Sequence, residues 1–367
     1  VARQLSLLIG LVLLEGQSAE EHLGGLSRIS GDLSPEVKDG LSRFLRNNQL
    51  DPEVHEVASR EFRAIERSLM YWGIGQDLFF GLSLGSVLLL AAIGLAITFG
   101  VMGVINMAHG EFIMLGAYTT FVIQQIIPAN SFWSLVLSIP AAFIVSAVAG
   151  IILERLVIRH LYGRPLETLL ATFGISLILQ QFVRTVFGPL NQSVVTPGLL
   201  SGALDVNAAF SMTYNRVFVI IFALSVLMAL WLVMHRTPFG MRVRAVTMNR
   251  GMASSMGIQT KRMDALAFGL GSGVAGMAGV ALSQLTNVGP NLGQSYIIDS
   301  FMVVVFGGVG NLFGTVVAAF SLGVTNKVLE PFSGAVLAKI FILVFIVLFI
   351  QKRPRGLFAL KGRAVED

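Results

Sequence analysis

The chain of 367 residues lacks cysteine and is poor in charge, with only 13% Asp, Glu, Lys and Arg. The missing cysteines exclude disulfides, a thiolate nucleophile and a cysteine-based metal site. Because a water-soluble domain carries about 25% charged residues, the low charge excludes most soluble folds. The sequence also lacks a G-x-x-x-x-G-K-[ST] motif, so it predicts no P-loop for ATP.

Long apolar runs take the place of the missing charge. Residues 78–110 and 112–153 contain no Asp, Glu, Lys or Arg, and only Glu111 separates the two runs. Since about 20 apolar residues cross a bilayer as a helix, the sequence predicts eight full membrane spans. They lie near residues 78–100, 104–127, 132–153, 168–187, 214–235, 263–285, 311–328 and 333–351.

Basic residues are concentrated in three segments outside these spans. Residues 154–167, 235–264 and 351–367 hold 14 of the 18 Lys and Arg found after residue 75, whereas 188–213 and 286–299 hold none. Because cytoplasmic loops are enriched in Lys and Arg, we expect the first three segments in the cytoplasm and the other two outside. The same alternation places the N-terminus outside and the C-terminus in the cytoplasm. The net charge of +5 thus reflects topology and predicts no nucleic-acid partner.

The alternation also requires a crossing between the sixth and seventh full spans. Residues 297–310 are about half a bilayer long and end in a glycine-rich stretch, so they predict a short or broken helix. Membranes tolerate such interruptions only where they line protein or a polar cavity. A similar interruption occurs at residues 103–111. One break in each half of the chain points to a transport path.

These patterns predict an all-α, polytopic membrane protein with about eight full transmembrane helices and one short broken helix. Residues 1–75, with 8 Lys and Arg against 11 Asp and Glu, predict a small helical head outside the membrane. Ser34-Pro35 and Asp51-Pro52 each predict the start of an amphipathic helix in this head. The transmembrane domain covers residues 76–363 and contains a cytoplasmic loop at 235–264.

Two short segments match a catalytic motif and a nucleotide-binding motif, but their positions favour a role in helix packing. The segment Gly81-Leu82-Ser83-Leu84-Gly85 fits a nucleophile elbow, but it begins an apolar helix and follows no strand. Residues 271–276 fit the dinucleotide fingerprint G-x-G-x-x-G, again inside an apolar helix without a preceding strand. Small residues recur on two faces of the same span, which predicts a central helix packed on both sides. These faces comprise Ala265, Gly269 and Gly273, and Ala267, Gly271, Ala275 and Gly279.

Polar residues in the apolar body are the candidates for a translocation path, since ionisable groups at membrane depth are costly. Each candidate group also has a structural alternative. The residues of the first break either cap a helix or line the path. The stripe on span 168–187 serves interhelical hydrogen bonds or the path, and the pair at 299–300 caps the short helix or lines the path. The candidates are Asn106, His109, Glu111, Thr172, Ser176, Asp299, Ser300, Gly307, Gly308, Gly310 and Asn311, with Gln180 continuing the stripe.

The loop 235–264 is too long for a turn between two helices. Its core, residues 242–258, predicts one short cytoplasmic helix that begins with basic residues and ends at Gly257. By physics alone such a helix could also lie on an anionic lipid surface.

Four stretches resemble permease subunits of the branched-chain amino acid type in ATP-binding cassette (ABC) transporters. They are GLSLGSVLLLAAIGLAITFGVMGVINMAHGEFIMLGAY (81–118), ATFGISLILQ (171–180), RVRAVTMNRGMASSMGI (242–258) and GQSYIIDSFMVVVFGGVGN (293–311). Within that family, the first stretch, the closing RPRGLFALKGR (353–363) and the N-terminal region are most similar to urea transporter permease subunits. The head is shorter than in those subunits, so we expect part of an extracytoplasmic domain to be missing.

This resemblance implies a non-enzymatic importer subunit in the bacterial inner membrane, surrounded by lipid, that takes up urea by alternating access. It also implies a second homologous permease, two cytosolic ATPases that carry ATP and Mg, and an extracytoplasmic solute-binding protein. No cofactor or metal is expected in this chain. The 235–264 loop would couple to the ATPases through Arg242, Arg244, Asn249, Arg250 and Gly257. The alternatives are a branched-chain amino acid permease, a passive solute channel and an intramembrane hydrolase.

Overall fold

The computed structural model describes residues 2–16, 18–46, 51–128 and 130–358, which are mostly helical. They form two compact units, one within residues 1–79 and 203–213 and the other within 80–202 and 214–367. The helices in chain order are α1 (Ala2–Leu14), α2 (Ala19–Ile29), α3 (Pro35–Leu45), α4 (Pro52–Met102), α5 (His109–Ile126), α6 (Phe132–Leu156), α7 (Pro165–Phe187), α8 (Tyr214–Arg236), α9 (Pro238–Met248), α10 (Arg250–Ser255), α11 (Thr260–Ser283), α12 (Leu292–Gly307) and α13 (Leu312–Lys352).

The predicted all-α membrane fold is confirmed. Six helices of the described chain, α4, α6, α7, α8, α11 and α13, are long and apolar enough to cross a membrane. Helix α13 bends at Gly334, where φ is +78°, and so accounts for the last two predicted spans. Helix α5 has 18 residues and begins later than the predicted span 104–127, because residues 103–108 are not helical.

In the first unit, the apolar faces of α2, α3 and the start of α4 pack together. Val37 and Leu41 of α3 and Val54 and Ile65 of α4 are buried in one cluster, as the amphipathic pattern predicts. Asp51 caps α4 by accepting a hydrogen bond from the Glu53 amide at 3.2 Å. Ser34 occupies the N-cap position of α3 and Pro35 is its first residue, as predicted, although the Ser34 side chain makes no capping hydrogen bond.

The segment between α7 and α8 contains the β-hairpin of the described chain, which the sequence analysis did not predict. Strand β1 (Ala203–Asn207) pairs antiparallel with β2 (Phe210–Thr213), with a bulge between Asp205 and Asn207. Asn207 Oδ1 accepts a hydrogen bond from the Ala209 amide at 2.9 Å, which closes the turn. The ring of Phe210 packs against Trp72, so the hairpin belongs to the first unit.

Helix α11 is the centre of the second unit, and its two small-residue faces contact different helices as predicted. On one face, Gly269 and Gly273 lie against Ile151 and Phe143 of α6. On the other, Gly271 contacts Gly94 of α4, and Gly279 contacts α5. Backbones approach closely there because no side chain intervenes. The G-x-G-x-x-G match is therefore a helix-packing surface, and Ser83 likewise lies inside helix α4.

Candidate functional site

Helix α5 begins in the interior of the second unit. The Nε2 atom of His109 lies 2.9 Å from the carbonyl oxygen of Ala91, and because a carbonyl only accepts, Nε2 is the donor. Ala91 lies eleven residues before the end of α4 at Met102, which is about 16 Å along a helix. Helix α5 therefore starts well inside the bundle and not at the end of α4. Residues 103–108 return from the end of α4 into the bundle.

The polar stripe of α7 faces this break. The carboxylate of Glu111 accepts hydrogen bonds at its Oε1 atom from Ser176 Oγ and Gln180 Nε2, both at 2.8 Å. One turn earlier, Thr172 Oγ1 accepts a hydrogen bond from the Met107 amide at 3.1 Å. The interhelical hydrogen bonds considered for this stripe are therefore present. The Oε2 atom of Glu111 is buried and has no partner among the described residues.

Asn106 and His109 complete this interior group. Asn106 Oδ1 accepts from the Ala108 amide at 3.0 Å, so its side chain does turn the break into α5. Its Nδ2 atom and the Nδ1 atom of His109 are buried and unpartnered among the described residues. The capping alternative is therefore present in the structure, and it uses only part of the polar capacity of these side chains. That they line a path stays a prediction.

The start of α12 meets the start of α5, a relationship that sequence reasoning missed. The backbones of Gly110 and Gly293 are in direct contact, and each glycine leaves no room for a Cβ atom. The connection 284–291 therefore returns into the bundle between α11 and α12. Its backbone pairs with the α7–α8 connection through Gln192 and Val288. The uncharged Asn-Val-Gly-Pro-Asn at 287–291 is the sequence signal that could have identified it.

The predicted role of Asp299 and Ser300 as N-terminal caps is wrong. Helix α12 begins at Leu292, so both residues lie in its middle. Ser300 donates to the carbonyl of Tyr296 within the same helix, and Asp299 accepts from Lys339 Nζ of α13 at 2.9 Å. The counter-ion of Lys339 therefore lies on the neighbouring helix. The spacing of residues within one segment of the sequence cannot reveal such a pair.

The second break, at residues 307–311, lies away from this polar interior. Gly308 and Gly310 have φ values of +106° and +79°, which only glycine adopts easily. Asn311 caps α13 through the Gly314 amide, and its Nδ2 atom donates to the carbonyl of Phe358 at 3.0 Å. Gly310 also contacts Gly100 near the end of α4. The second break thus lies at the level where the first break begins, whereas the first break continues into the bundle as far as Ala91.

The basic loop forms two short helices, α9 and α10, where one was predicted. Asn249 separates them, because its side chain caps α10 by accepting from the Met252 amide at 2.8 Å. Gly257, with φ +83°, follows α10, and the Ile258 amide bonds back to Ala253 as in a Schellman turn. The helix end predicted at Gly257 is thereby confirmed. Arg244 donates to the carbonyl of Met234, which attaches α9 to the end of α8.

One face of this helix pair is apolar and exposed. Val246 and Ala253 are buried against Met263, and Val243 is buried in the main core, so these residues hold the pair to the bundle. The outer face carries four methionines that are 61% to 76% exposed, together with the exposed Arg242. Flexible thioether side chains are suited to a protein contact surface. The four are Met241, Met248, Met252 and Met256.

A charged cluster ties the loop to the ends of the long helices. Arg250 forms an ion pair with the buried Asp264 of α11, and its guanidinium lies 5.1 Å from the ring centre of Tyr162. Burial, with the carboxylates of Asp264 and Glu154, raises the pKa of Tyr162 far above its usual value. Its hydroxyl therefore stays protonated and donates to Glu154 at 3.0 Å. Tyr162 also contacts the sulfur of Met102, at the end of α4.

These contacts bring the described parts of the three basic segments to one end of the second unit. Tyr162 links residues 154–167 to Arg250, and Phe358 lies against Gly308, near the end of α4. The clustering agrees with a common side of the membrane, while which side faces the cytoplasm stays a prediction. Lys361 and Arg363 lie outside the described residues.

Residues 78–350 match the model of a protein family described as the permease component of branched-chain amino acid transport systems. The permease LivH of the high-affinity branched-chain amino acid transport system of Salmonella typhimurium is 30% identical over 292 residues, covering 77% of this chain and 94% of that protein. BraD of Pseudomonas aeruginosa, also named as a high-affinity branched-chain amino acid permease, is 29% identical over 291 residues with the same coverage. The probable branched-chain amino acid permease LivH of Methanocaldococcus jannaschii is 25% identical, covering 74% of this chain and 88% of that protein. No solved structure shows a significant match.

Proposed function

The chain belongs to the branched-chain amino acid transport permease family, and on this premise we propose that it is the pore subunit of an ABC importer for branched-chain amino acids. The relatives are permeases and not enzymes, so the chain is a transport subunit. The observation that carries the proposal is the meeting of the α5 and α12 starts inside the bundle, beside Glu111. Interrupted helices that meet near the midplane are typical of transporter solute sites.

The proposed cargo differs from the urea that the sequence led us to expect. Urea was expected from the resemblance of the first stretch, the closing residues 353–363 and the N-terminal region, but the relatives reported above are named for branched-chain amino acids. A path for urea needs only neutral donors and acceptors, whereas an amino acid also presents an ammonium and a carboxylate. The ionisable carboxyl group of Glu111 in the interior favours the amino acid.

ATP coupling is assigned to partner subunits in this proposal, through the α9–α10 pair. The four exposed methionines and Arg242 form a surface that suits docking of two cytosolic ATPases, one on this chain and one on a second permease. Arg250 and Arg244 connect the pair to α11 and α8, so movement of the loop would reach the transmembrane helices. An extracytoplasmic binding protein would deliver the solute on the opposite side. These basic elements face the cytoplasm of a bacterial cell, and the N-terminus lies outside the inner membrane.

Uptake into proteoliposomes that contain the assembled transporter tests the proposal. ATP is supplied on the side of the membrane that carries the ATPases, and binding protein loaded with solute is supplied on the other side. Under these conditions we expect transport of leucine and no transport of urea. Urea uptake without leucine uptake would restore the original expectation. The binding protein alone, titrated with both solutes, gives an independent answer.

The loop separates an ATP-driven importer from a passive channel. Gly257 has φ +83°, so Gly257→Val strains the turn after α10, whereas Gly251→Ala fits inside α10. We expect Gly257→Val to abolish ATP-dependent uptake with normal membrane insertion, and Gly251→Ala to retain it. Flux that is independent of ATP and indifferent to Gly257→Val would indicate a channel.

A further inference from the structure

Helix α7 carries four polar side chains at four-residue spacing, which we call the α7 ladder: Thr172, Ser176, Gln180 and Arg184. Each member makes a hydrogen bond to another segment of the second unit. The first three contact the Met107 amide or Glu111, as described above. Arg184 Nη2 donates to Asn291 Oδ1 at 2.7 Å, immediately before α12. The ladder therefore connects both segments that return into the bundle, at 103–108 and at 284–291.

Glu111 has unused hydrogen-bonding capacity beside this ladder. Its Oε1 atom is occupied by Ser176 and Gln180, but Oε2 is buried and unpartnered within the described chain. A buried carboxylate oxygen without a donor costs free energy, so it favours a ligand that supplies one. The other buried acids of the second unit each face a cation: Asp299 pairs with Lys339, Asp264 with Arg250 and Glu154 with Arg159. Glu111 differs because no cation pairs with it within the described chain, although Asp264 also keeps one oxygen without a partner there.

Arg184 has unused hydrogen-bond donors. A guanidinium has five N–H donors, and the described contacts of Arg184 use one of them, toward Asn291. Arg184 follows Gln180 by one helical turn, about 5.4 Å. No ion pair joins Arg184 to Glu111 within the described residues, so a carboxyl group and a guanidinium group lie beside neighbouring turns of the ladder, each with unused hydrogen-bonding capacity.

We propose that Glu111 and Arg184 bind the zwitterionic end of an α-amino acid, with the ammonium on Glu111 Oε2 and the carboxylate on Arg184. Glu111 accepts a hydrogen bond from Gln180, and Arg184 follows Gln180 by one turn of α7, so the carboxyl and guanidinium groups adjoin the same stretch of this helix. The proposal rests on the importer function above and specifies its solute site. Urea, which has no charge, would leave both residues without their counter-ions.

The surroundings of the ladder suit an apolar amino acid side chain. A buried cluster from α5, α7 and the 284–291 connection adjoins Glu111 and Arg184. It contains Met114, Tyr118, Val183 and Val288, with Leu179 and Phe187 packed against it. Glu111 is 1% exposed, so the site is closed in this structure and admits a solute only when α5 and α7 separate. Alternating access provides such a movement.

Direct binding to the assembled transporter in nanodiscs, measured by saturation-transfer NMR, tests the site. The probes are leucine, leucinamide, which lacks the carboxylate, and 4-methylpentanoate, which lacks the ammonium. We expect Glu111→Gln to weaken leucine binding about tenfold or more while leaving 4-methylpentanoate unchanged, because a charge-assisted hydrogen bond is lost. Arg184→Gln should weaken leucine similarly and leave leucinamide unchanged. The charge-conserving Arg184→Lys should retain most leucine binding.

Thr185→Ala is the matched control, since Thr185 is exposed next to Arg184 and bonds only to the Gln181 carbonyl of its own helix. An equal loss of binding of all three probes in a variant would show a merely structural role and overturn the proposal. Unchanged leucine binding in both Glu111→Gln and Arg184→Gln would overturn it as well. The two proposals fail separately. If the unmodified transporter takes up urea and not leucine, the importer assignment fails; if it takes up leucine and the variants bind normally, only the site fails.

Discussion

Arg250 of α10 forms an ion pair with Asp264 of α11, whose side chain is fully buried. The pair joins the basic loop to the first turns of the central helix, and the adjacent Tyr162 extends the connection to Glu154 and Met102. Four chain segments therefore meet at one charged cluster. Movement of the loop cannot leave these helix ends unaffected, which makes the cluster the natural place to test how the loop is held.

Replacing Arg250 tests the pair directly. Arg250→Ala leaves a buried carboxylate without its counter-ion, and because Arg250 is itself 42% exposed we expect a loss of roughly 2–3 kcal/mol in stability, below the value for a fully buried pair. The thermal melting of the purified chain, followed by fluorescence size-exclusion chromatography, measures the effect. Arg164→Ala is the control, because its pair with Glu167 is exposed and worth about 0–1 kcal/mol. Equal shifts for both variants would contradict the structural role of the Arg250 pair.

Tyr162 predicts a dependence of stability on alkaline pH. Its folded-state pKa is raised by burial and by Asp264 and Glu154, while the unfolded chain titrates near the ordinary value of about 10. Above that pH only the unfolded state releases the proton, so the free energy of unfolding decreases as pH rises, and it is unaffected by this group below pH ~10. Tyr162→Phe removes the effect. The melting temperatures of the unmodified protein and of Tyr162→Phe are measured from about pH 8 to about pH 11. They should diverge at the alkaline end of this range.

The crossing of α5 and α11 depends on the absence of a side chain at Gly116. A Cβ atom there would overlap the carbonyl of Gly276, which is backbone and cannot turn aside. We expect Gly116→Ala to destabilise the chain by about 1–3 kcal/mol. The control is Gly174→Ala on α7, where nothing lies within 4 Å of the added atom. Yield and melting temperature distinguish the two, and a tolerated Gly116→Ala would show that the helices are not held this closely.

Local patterns predicted much of this molecule. Hydropathy located the spans, and the four-residue spacing of Thr172, Ser176 and Gln180 identified the face that meets Glu111. The positive φ of Gly257 follows from helix-end chemistry that three or four neighbouring residues specify. Such features are encoded within one or two helical turns.

Relationships between distant segments were not predicted. Asp299 and Lys339 are 40 residues apart, and Arg184 and Asn291 are 107 apart, so their pairing depends on how helices pack. The contact of Gly110 with Gly293 likewise exists only in three dimensions. The start of α12 at Leu292 was missed because residues 292–296 were assigned to an external connection, which also made Asp299 a cap.

The side-chain amide of Asn311 makes two hydrogen bonds that can be removed separately. Its Oδ1 atom caps α13 through the Gly314 amide at 3.1 Å, and its Nδ2 atom holds the Phe358 carbonyl at 3.0 Å. Asn311→Asp retains the capping acceptor but loses the donor, whereas Asn311→Ala loses both. We expect Asn311→Ala to cost about 0.5–2 kcal/mol in stability and Asn311→Asp much less. Both variants should release the chain near Phe358, so a protease site placed after it should be cut faster in both. Slow cleavage in Asn311→Asp would show that the backbone bonds of Leu357 to Phe306 and Phe358 to Gly307 suffice to hold this segment.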